Sequence, residues 1–548
     1  MTRPLQELID QGRAALRAGD AAGARRVLEG AFVESASGDV IECLARVAYL
    51  ELDFAEAING WERAYAAHRE GGDLAGAIRV ARTLGYMYGS IVGDWAVTSG
   101  WLARARTLLA GDAECPEAGW VSLNVGMFEG DRVQKEMLFR EALELARRFG
   151  DSDLEFVTLA YLGASLVHAD RTEEGMVLLD EALAAVAGSD VDDFTVLQEI
   201  FCQLFAACEH AHDVSRADQW IRIGEAIATR RNLPAVSAFC RTHYGGVLTA
   251  AGRWPEADAA LTEAVRLWGL GHRMLRGGAL ARLADLRVRQ GRFEEAEQLL
   301  GGLESDLDAA RPLAAIHLAR GDTSLAKDTL ERALEQIDPS NSGVAPLLVL
   351  LVDVHLASNA LEEAEATVEQ LETCAARHRS DYLMASAALA RGRICLAAGT
   401  GDPRACLRDA LAGFGRAQMP VEVAHSRLEL ANALVGDHPE VAMAEARAAL
   451  EAFDRLHAAR HADAAAAVLR SLGVRSPARG KGAGVLSRRE AEVLELLGHG
   501  LSNPDISDRL FISRKTVEHH VGNVLTKLGL RNRGEAAAYA ARAKAGKE

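Results

Sequence analysis

At 548 residues, with 49% apolar and only 5% aromatic residues, the chain is too long for one compact core and too apolar for wholesale disorder. Alanine and leucine dominate and runs of β-branched residues are scarce, so the composition predicts an all-α protein. The formal net charge of −17 excludes general attraction to nucleic acid, yet the charge is uneven: from Lys481 to Glu548 twelve Lys and Arg stand against eight Asp and Glu, a local +4 that leaves −21 for the rest.

The first twenty residues, "MTRPLQELIDQGRAALRAGD", carry charges throughout and lack the apolar core of a signal peptide; they predict an amphipathic helix. From there to about residue 470 one phrase keeps returning, a Gly-Asp or Gly-Arg type turn followed by an amphipathic helix with small residues at fixed offsets. It opens at Ala18 ("AGDAAGARRVLEGAF"), Glu129, Ala169, Ala251, Gln290 and Arg320, with weaker copies near Leu52, Gly93, His212, Asn359, Gly401 and Gly436. The turns recur roughly every 30 to 43 residues, the period of stacked helix-pair repeats, which predicts about twelve hairpins and roughly 24 helices. A helical hairpin cannot bury its own apolar stripe, so neighbours stack and share a core. Alanines such as Ala257, Ala264, Ala326 and Ala333 permit close helix approach, and the turn Gly or Asp tolerates a left-handed backbone. The most apolar run, Val344 to Ala357, is short for a membrane span and contains Asp353 and His355, so it predicts a helix buried in protein.

This region resembles the tetratricopeptide-repeat family, in the degenerate, longer-period version of MalT-like bacterial regulators. The resemblance implies a superhelix that holds a partner protein, a peptide or a small ligand in its concave groove. Trp61, Trp95, Trp101, Trp120, Trp220, Trp254 and Trp268 are candidates to line that groove, although an aromatic in a helical repeat is more often core.

"LGVRSPARGKGAGV", 472–485, is dense in Gly, Arg and Lys and predicts a flexible basic tether. Its Gly-Lys pair lacks the upstream Gly and following Ser or Thr of a phosphate loop, so no nucleotide site is expected. Past it, Ser487 and Glu490 form a capping box for a helix that Gly498 and Gly500 end. Ser502, Pro504 and Asp505 open a short second helix to about Leu510; Ser513 caps a third to Leu528, which Gly529 stops. Two helices joined by a three- or four-residue turn make a helix-turn-helix.

In the third helix Val517, Val521, Val524, Leu525 and Leu528 form one apolar stripe. The opposite face carries Lys515, His519, Gly522, Asn523 and Thr526, flanked by Thr516 and Glu518. These donors and acceptors suit base edges, with Gly522 leaving room for close approach. Arg514, Lys527, Arg531 and Arg533 lie around them, where phosphates would be.

The stretch from Leu486 to Ala540 resembles the DNA-binding domain of LuxR-type transcriptional regulators. The resemblance rests on Arg489-Glu490, Gly500, Ser502-Asn503, the Ser513, Thr516, Val517 and His520 core, Lys527-Leu528 and Asn532-Arg533. It implies base-facing Glu518, His519 and Gly522, with Lys515, Thr516, Lys527 and Arg533 near the backbone. It also implies a fourth helix, roughly Gly534 to Lys544, that dimerises, so that two copies read half-sites ~10 base pairs apart on double-stranded DNA.

"CQLFAACEHAH" gathers Cys202, Cys208, His210 and His212, but two cysteines six apart on a helix point away from each other, and no metal is expected. No catalytic constellation stands out, so neither an enzyme nor a cofactor is expected. The scattered cysteines, without a C-x-x-C pair, point to a reducing cytoplasm. The sequence thus predicts a helical-repeat sensor, 1–471, joined by the tether 472–485 to a dimeric DNA-binding domain, 486–548. The rival expectation is a repeat scaffold whose tail is a non-specific DNA anchor. Neither an ATPase module nor a phosphoacceptor domain is recognised, so a bound ligand or protein is the expected switch.

Overall fold

The computed structural model divides the chain into two compact units, Met1–Val468 and Leu469–Glu548. It describes residues 3–109, 115–231, 238–268, 273–474, 488–498, 500–510, 514–528, 530 and 532–545; most of the tether, Ser487, Ser513, Gly529 and Arg531 lie outside the described residues. Among the described residues there is no strand, and twenty-five α-helices run from Arg3–Arg17 to Ala459–Ser471.

Local chemistry sets the helix ends. Asp20, Asp53, Asp73, Asp131 and Asp151 each accept a hydrogen bond from the backbone N–H three residues on, which satisfies a donor that the first helical turn leaves open. The recurrent turns use the left-handed backbone: Gly19, Gly252, Gly291 and Gly321 have φ between +72° and +87°. Leu52, Asp170, His212 and Asn359 adopt the same region at φ between +55° and +65°, where a side chain costs more than glycine does. At Gly130 no left-handed residue is used, and the Asp131 N–H is bonded to the Glu129 carboxylate at 3.0 Å.

Within a hairpin the second helix is the amphipathic one. Ala57, Ala257, Ala264 and Ala326 are fully buried where it meets the first. Closest approach occurs at Gly163 and Gly175, where a Cβ on Gly163 would stand 2.7 Å from the Gly175 carbonyl oxygen. The first helices face inward. Six of them, Arg3–Arg17, Gly38–Leu50, Leu74–Tyr86, Pro116–Phe128, Ser152–His168 and Phe194–Ala211, contribute to the wall of a cavity of about 590 Å³. Phe194–Ala211 is shared with a second cavity of about 700 Å³ that the later first helices complete, through to Ala459–Ser471.

The array therefore curls back on itself twice. Around the first cavity Arg46 pairs with Asp193, and the phenols of Tyr86 and Tyr161 both donate to Glu199. Around the second, Arg289 reaches Glu422 at 3.1 Å and the His212 ring lies 3.7 Å from that of Tyr382. Leu248, Trp254 and Leu261 share one apolar cluster with Val421, Ala424 and Phe453. Asn341 donates to the His168 carbonyl at 2.8 Å, and the Ser342 N–H to Asp170 at 3.2 Å. The apolar run near 350 is a helix, Ala345–Ala357, with Leu348, Leu351 and Val352 buried. Among the described residues no helix is long and apolar enough to cross a membrane.

In the second unit four helices, Arg488–Gly498, Asn503–Leu510, Arg514–Leu528 and Arg533–Ala545, enclose a small core of Val493, Leu497, Ile506, Val517, Val524 and Ala536.

Candidate nucleic-acid interface and repeat cavities

The short second helix of the C-terminal unit is fixed at its start by a reciprocal pair. The Ser502 N–H donates to the Asp505 carboxylate at 3.0 Å, the Ser502 hydroxyl donates to the same oxygen at 2.5 Å, and the Asp505 N–H returns to the hydroxyl at 3.4 Å. These bonds hold the Asp505 carboxyl below its usual range. Gly500, at φ +79°, turns the chain between the first two helices. Gly498 meets Ala540 so closely that an added Cβ would stand 2.7 Å from the alanine methyl.

The third helix turns Val517 and Val524 fully inward, with Val521, Leu525 and Leu528 half-buried beside them. Its other side exposes Arg514, Lys515, Glu518, His519 and Gly522. Thr516 and Asn523 are half-buried, and the Asn523 amide lies 3.3 Å from His519 Nε2. A Cβ on Gly522 would meet nothing within 4 Å, so packing does not require the glycine. The result is a polar ridge with a notch, along which Arg514 and Lys515 stand exposed.

Two of the expected contact elements also have partners inside the unit. Arg533 is committed inside the unit: it donates to the Asn503 side-chain oxygen at 2.5 Å and to the Leu501 carbonyl, which locks the entry to the second helix. The fourth helix spends Ala536 and Ala540 on the unit's own core, so these alanines are not a free packing surface. Arg531 and the side chains of Thr526 and Lys527 lie outside the described residues.

In the repeats, Cys202 is disulfide-bonded to Cys240, which the scattered spacing did not foreshadow. Cys208 is fully buried, and burial pushes its thiol up. His210 faces Ser342 at 3.2 Å rather than a cysteine. Asp39, Glu42 and His68 bring ligand-type atoms within 4.8 Å of one another, but Arg79 and Arg13 already neutralise the two carboxylates. Burial raises the Glu42 carboxyl, and hydrogen bonds from Arg79 and His68 outweigh it, holding it at about 2. Of the tryptophans, Trp61 and Trp120 line the first cavity and Trp254 the second. Trp95 is exposed, Trp101 packs edge-on to Tyr65, Trp220 donates to Asp180 and Trp268 to Thr242.

Both cavities are walled by charged pairs that sequence reading missed. The second holds Arg282 with Glu209, Arg289 with Asp285, and Arg393 with Asp353 and Glu429. Against them lie His212, His425 and His461, kept neutral chiefly by burial; His212 is lowered to about 3 and His461 to about 4. The signal was present as charges three or four apart on otherwise apolar first helices, as in "ARLADLRVRQ" from 281 to 290.

Residues 484–540 match the family described as "Bacterial regulatory proteins, luxR family", so the C-terminal unit carries a LuxR-type helix-turn-helix. The chain is similar there to transcriptional regulatory protein LnrK of Bacillus subtilis (strain 168), at 47% identity over 57 residues, 10% of this chain and 26% of that protein. It is also similar to oxygen regulatory protein NreC of Staphylococcus aureus (strain JH9), at 45% over 60 residues, 11% of this chain and 28% of that one. The chain thus spans about a quarter of the length of these curated relatives. Among solved structures, yeast Tom70 aligns with 80% of this chain and 98% of its own, at 12% identity and a TM-score of 0.33.

Proposed function

We propose that the protein is a DNA-binding transcriptional regulator. Its C-terminal unit reads the major groove as a dimer, and its repeats bind the signal. The observation that carries the reading is the third helix of that unit: Val517 and Val524 anchor one edge in the core while Lys515, Glu518, His519 and Gly522 stand exposed on the other. Lys515 and His519 can donate to guanine, Glu518 can accept from cytosine, and Asn523 can pair with adenine. Arg514, Thr516, Lys527, Arg531 and Arg533 fit backbone contacts, and Arg533 also holds Asn503 and Leu501 in place.

Of the signals a repeat array can hold, the curled geometry favours a small molecule. An array closed by Arg46–Asp193 and Arg289–Glu422 encloses its interior instead of offering a long open groove to a peptide. Binding there would change DNA occupancy only if the ligand binds one arrangement of the protein better than another. Nothing in this scheme needs a membrane, a metal or a catalytic step, and the compartment proposed is the cytoplasm.

The test is selective capture of genomic fragments by the purified full-length protein, followed by footprinting. A defined site with two half-sites about one duplex turn apart supports the regulator. Uniform protection of any fragment supports instead the scaffold with a non-specific anchor.

A further inference from the structure

The first cavity contains a charge that the protein itself leaves unanswered. Arg79, Arg46 and Arg13 line it with carboxylate partners: Arg79 with Glu42 at 2.6 Å, Arg46 with Asp193, and Arg13 with Asp39 at 2.5 Å. Glu199 accepts from two phenols, and Asp151 accepts from Trp120 Nε1 at 2.8 Å. Arg82 differs. Among the described residues no carboxylate lies within ion-pair distance of it, and its sole hydrogen bond runs from Nη1 to the Asn124 side-chain oxygen at 3.2 Å. Its Nε is shielded from solvent without an acceptor. The guanidinium is stacked on Trp120, 4.6 Å from the ring centroid.

Leaving a buried donor and its charge without a partner is costly, and a stack on an aromatic face offsets only part of that cost. The strain shows in the group itself: burial, then repulsion from Arg79, brings its pKa down to about 10, and Glu42, Glu117 and Asp151 act only from a distance. Among the described residues Nη2 has no partner either and, unlike Nε, is not shut off from solvent; stacking fixes the plane of the fork, so the Nη edge is held in one orientation, as a two-point hydrogen bond to a planar oxyanion requires.

From this geometry we infer that the cavity is the binding site for a small organic monocarboxylate, its carboxylate forked by Arg82 and its apolar or aromatic body lodged among Tyr49, Trp61, Tyr86, Met87 and Leu123. Arg17 also lines the cavity but is exposed, so the stacked Arg82 fork is the binding group, and one fork matches one carboxylate. A phosphate dianion would bring a second negative charge into a wall that already holds Glu42, Asp151 and Glu199. At about 590 Å³ the cavity has the size of a small-molecule site. The assignment rests on the ligand-binding role proposed for the repeats, and it names the site and the ligand class.

The experiment uses the full-length protein. Thermal melting and tryptophan emission are followed with benzoate, phenylacetate and hexanoate, with the amide of each, and with inorganic phosphate. At least one carboxylate is expected to raise the melting temperature in a saturable way and to shift the emission through Trp120, while the amides and phosphate do neither. Arg82→Met should lose the response while keeping its helical circular dichroism, and its unliganded form should melt no lower than the parent, because the unanswered charge is gone. Should Arg82→Met fold poorly, Arg82→Lys, which keeps the charge and loses the fork, should raise the half-saturating concentration by about tenfold. An equal response from the amides, a response in Arg82→Met like the parent's, or none from any of the three carboxylates overturns the assignment. DNA binding measured in parallel separates the two readings. A carboxylate response with unaltered DNA affinity keeps the site and removes its sensory role. No carboxylate response with DNA binding intact removes the site and leaves the regulator.

Discussion

Arg289 and Glu422 are 133 positions apart in the chain and 3.1 Å apart in space. Arg289 also holds Asp285, one turn back on its own helix, at 2.9 Å, so one guanidinium ties the middle of the array to its late repeats. Both side chains are largely buried, so removing one partner strands a charge. Arg289→Met is expected to destabilise the repeat unit by about 3–5 kcal/mol, read from urea unfolding followed by helical circular dichroism. Arg289→Met with Glu422→Leu should recover much of the loss. A single variant as stable as the parent would show that the pair does not close the second cavity.

The neutral histidines around that cavity give acid sensitivity. His212 and His461 have folded pKa values lowered to about 3 and about 4, and burial is the first cause in both. A lowered folded value means the unfolded chain takes up the proton first, so stability is fully present above about pH 6.5 and falls as the pH drops toward 4. Melting temperature should therefore decline through this window. His461→Phe, placed beside Phe453 and His425, should flatten the decline. The Glu42 and Glu209 carboxyls, both held at about 2, add their own loss only at lower pH.

On the recognition helix, His519→Ala should change which sequences are preferred, with a cost of about 1–3 kcal/mol at one base position. Arg514→Ala should weaken all sequences alike and reduce the slope of log affinity against log salt by about 1. Binding isotherms at several salt concentrations on a selected and a scrambled duplex separate the two. If both variants lose affinity uniformly, the exposed ridge does not enter the groove as assigned.

Gly498→Leu should dismantle the DNA-binding unit while the repeats keep their melting transition. The close contact with Ala540 leaves no volume for the side chain, and overpacking of this kind costs about 1–3 kcal/mol or more. The milder Gly498→Ala should be rescued by Ala540→Gly, with DNA retention at fixed salt as the readout.

The parts of the molecule that sequence reading reached are those where one residue type has one local job. Left-handed turns at Gly19, Gly252 and Gly321 and the Ser502–Asp505 box are local and were readable. So was the alternation of Val517 and Val524 with Lys515, Glu518 and His519, because a small domain has one inside and one outside. The first helices of the hairpins were not readable in this way. They are enclosed on several sides, and their charges, such as Arg82, Arg282 and Asp285, point into an interior that exists only once distant helices meet. The internal bonds of Arg533 were missed for a related reason: those to Leu501 and Asn503 span about thirty residues, and nothing in the adjacent sequence marks them.

An open stack of hairpins can gain or lose a member and remain a stack, because each unit touches only its neighbours. Here two long-range latches, at Asp193 and at Glu422, fix how many units lie between their ends. Duplicating or excising a single hairpin would move Arg46 or Arg289 out of reach of its mate and prise open a chamber. Length variation, the ordinary evolutionary freedom of such arrays, is thereby surrendered inside each ring, and the interior can specialise only by exchanging side chains.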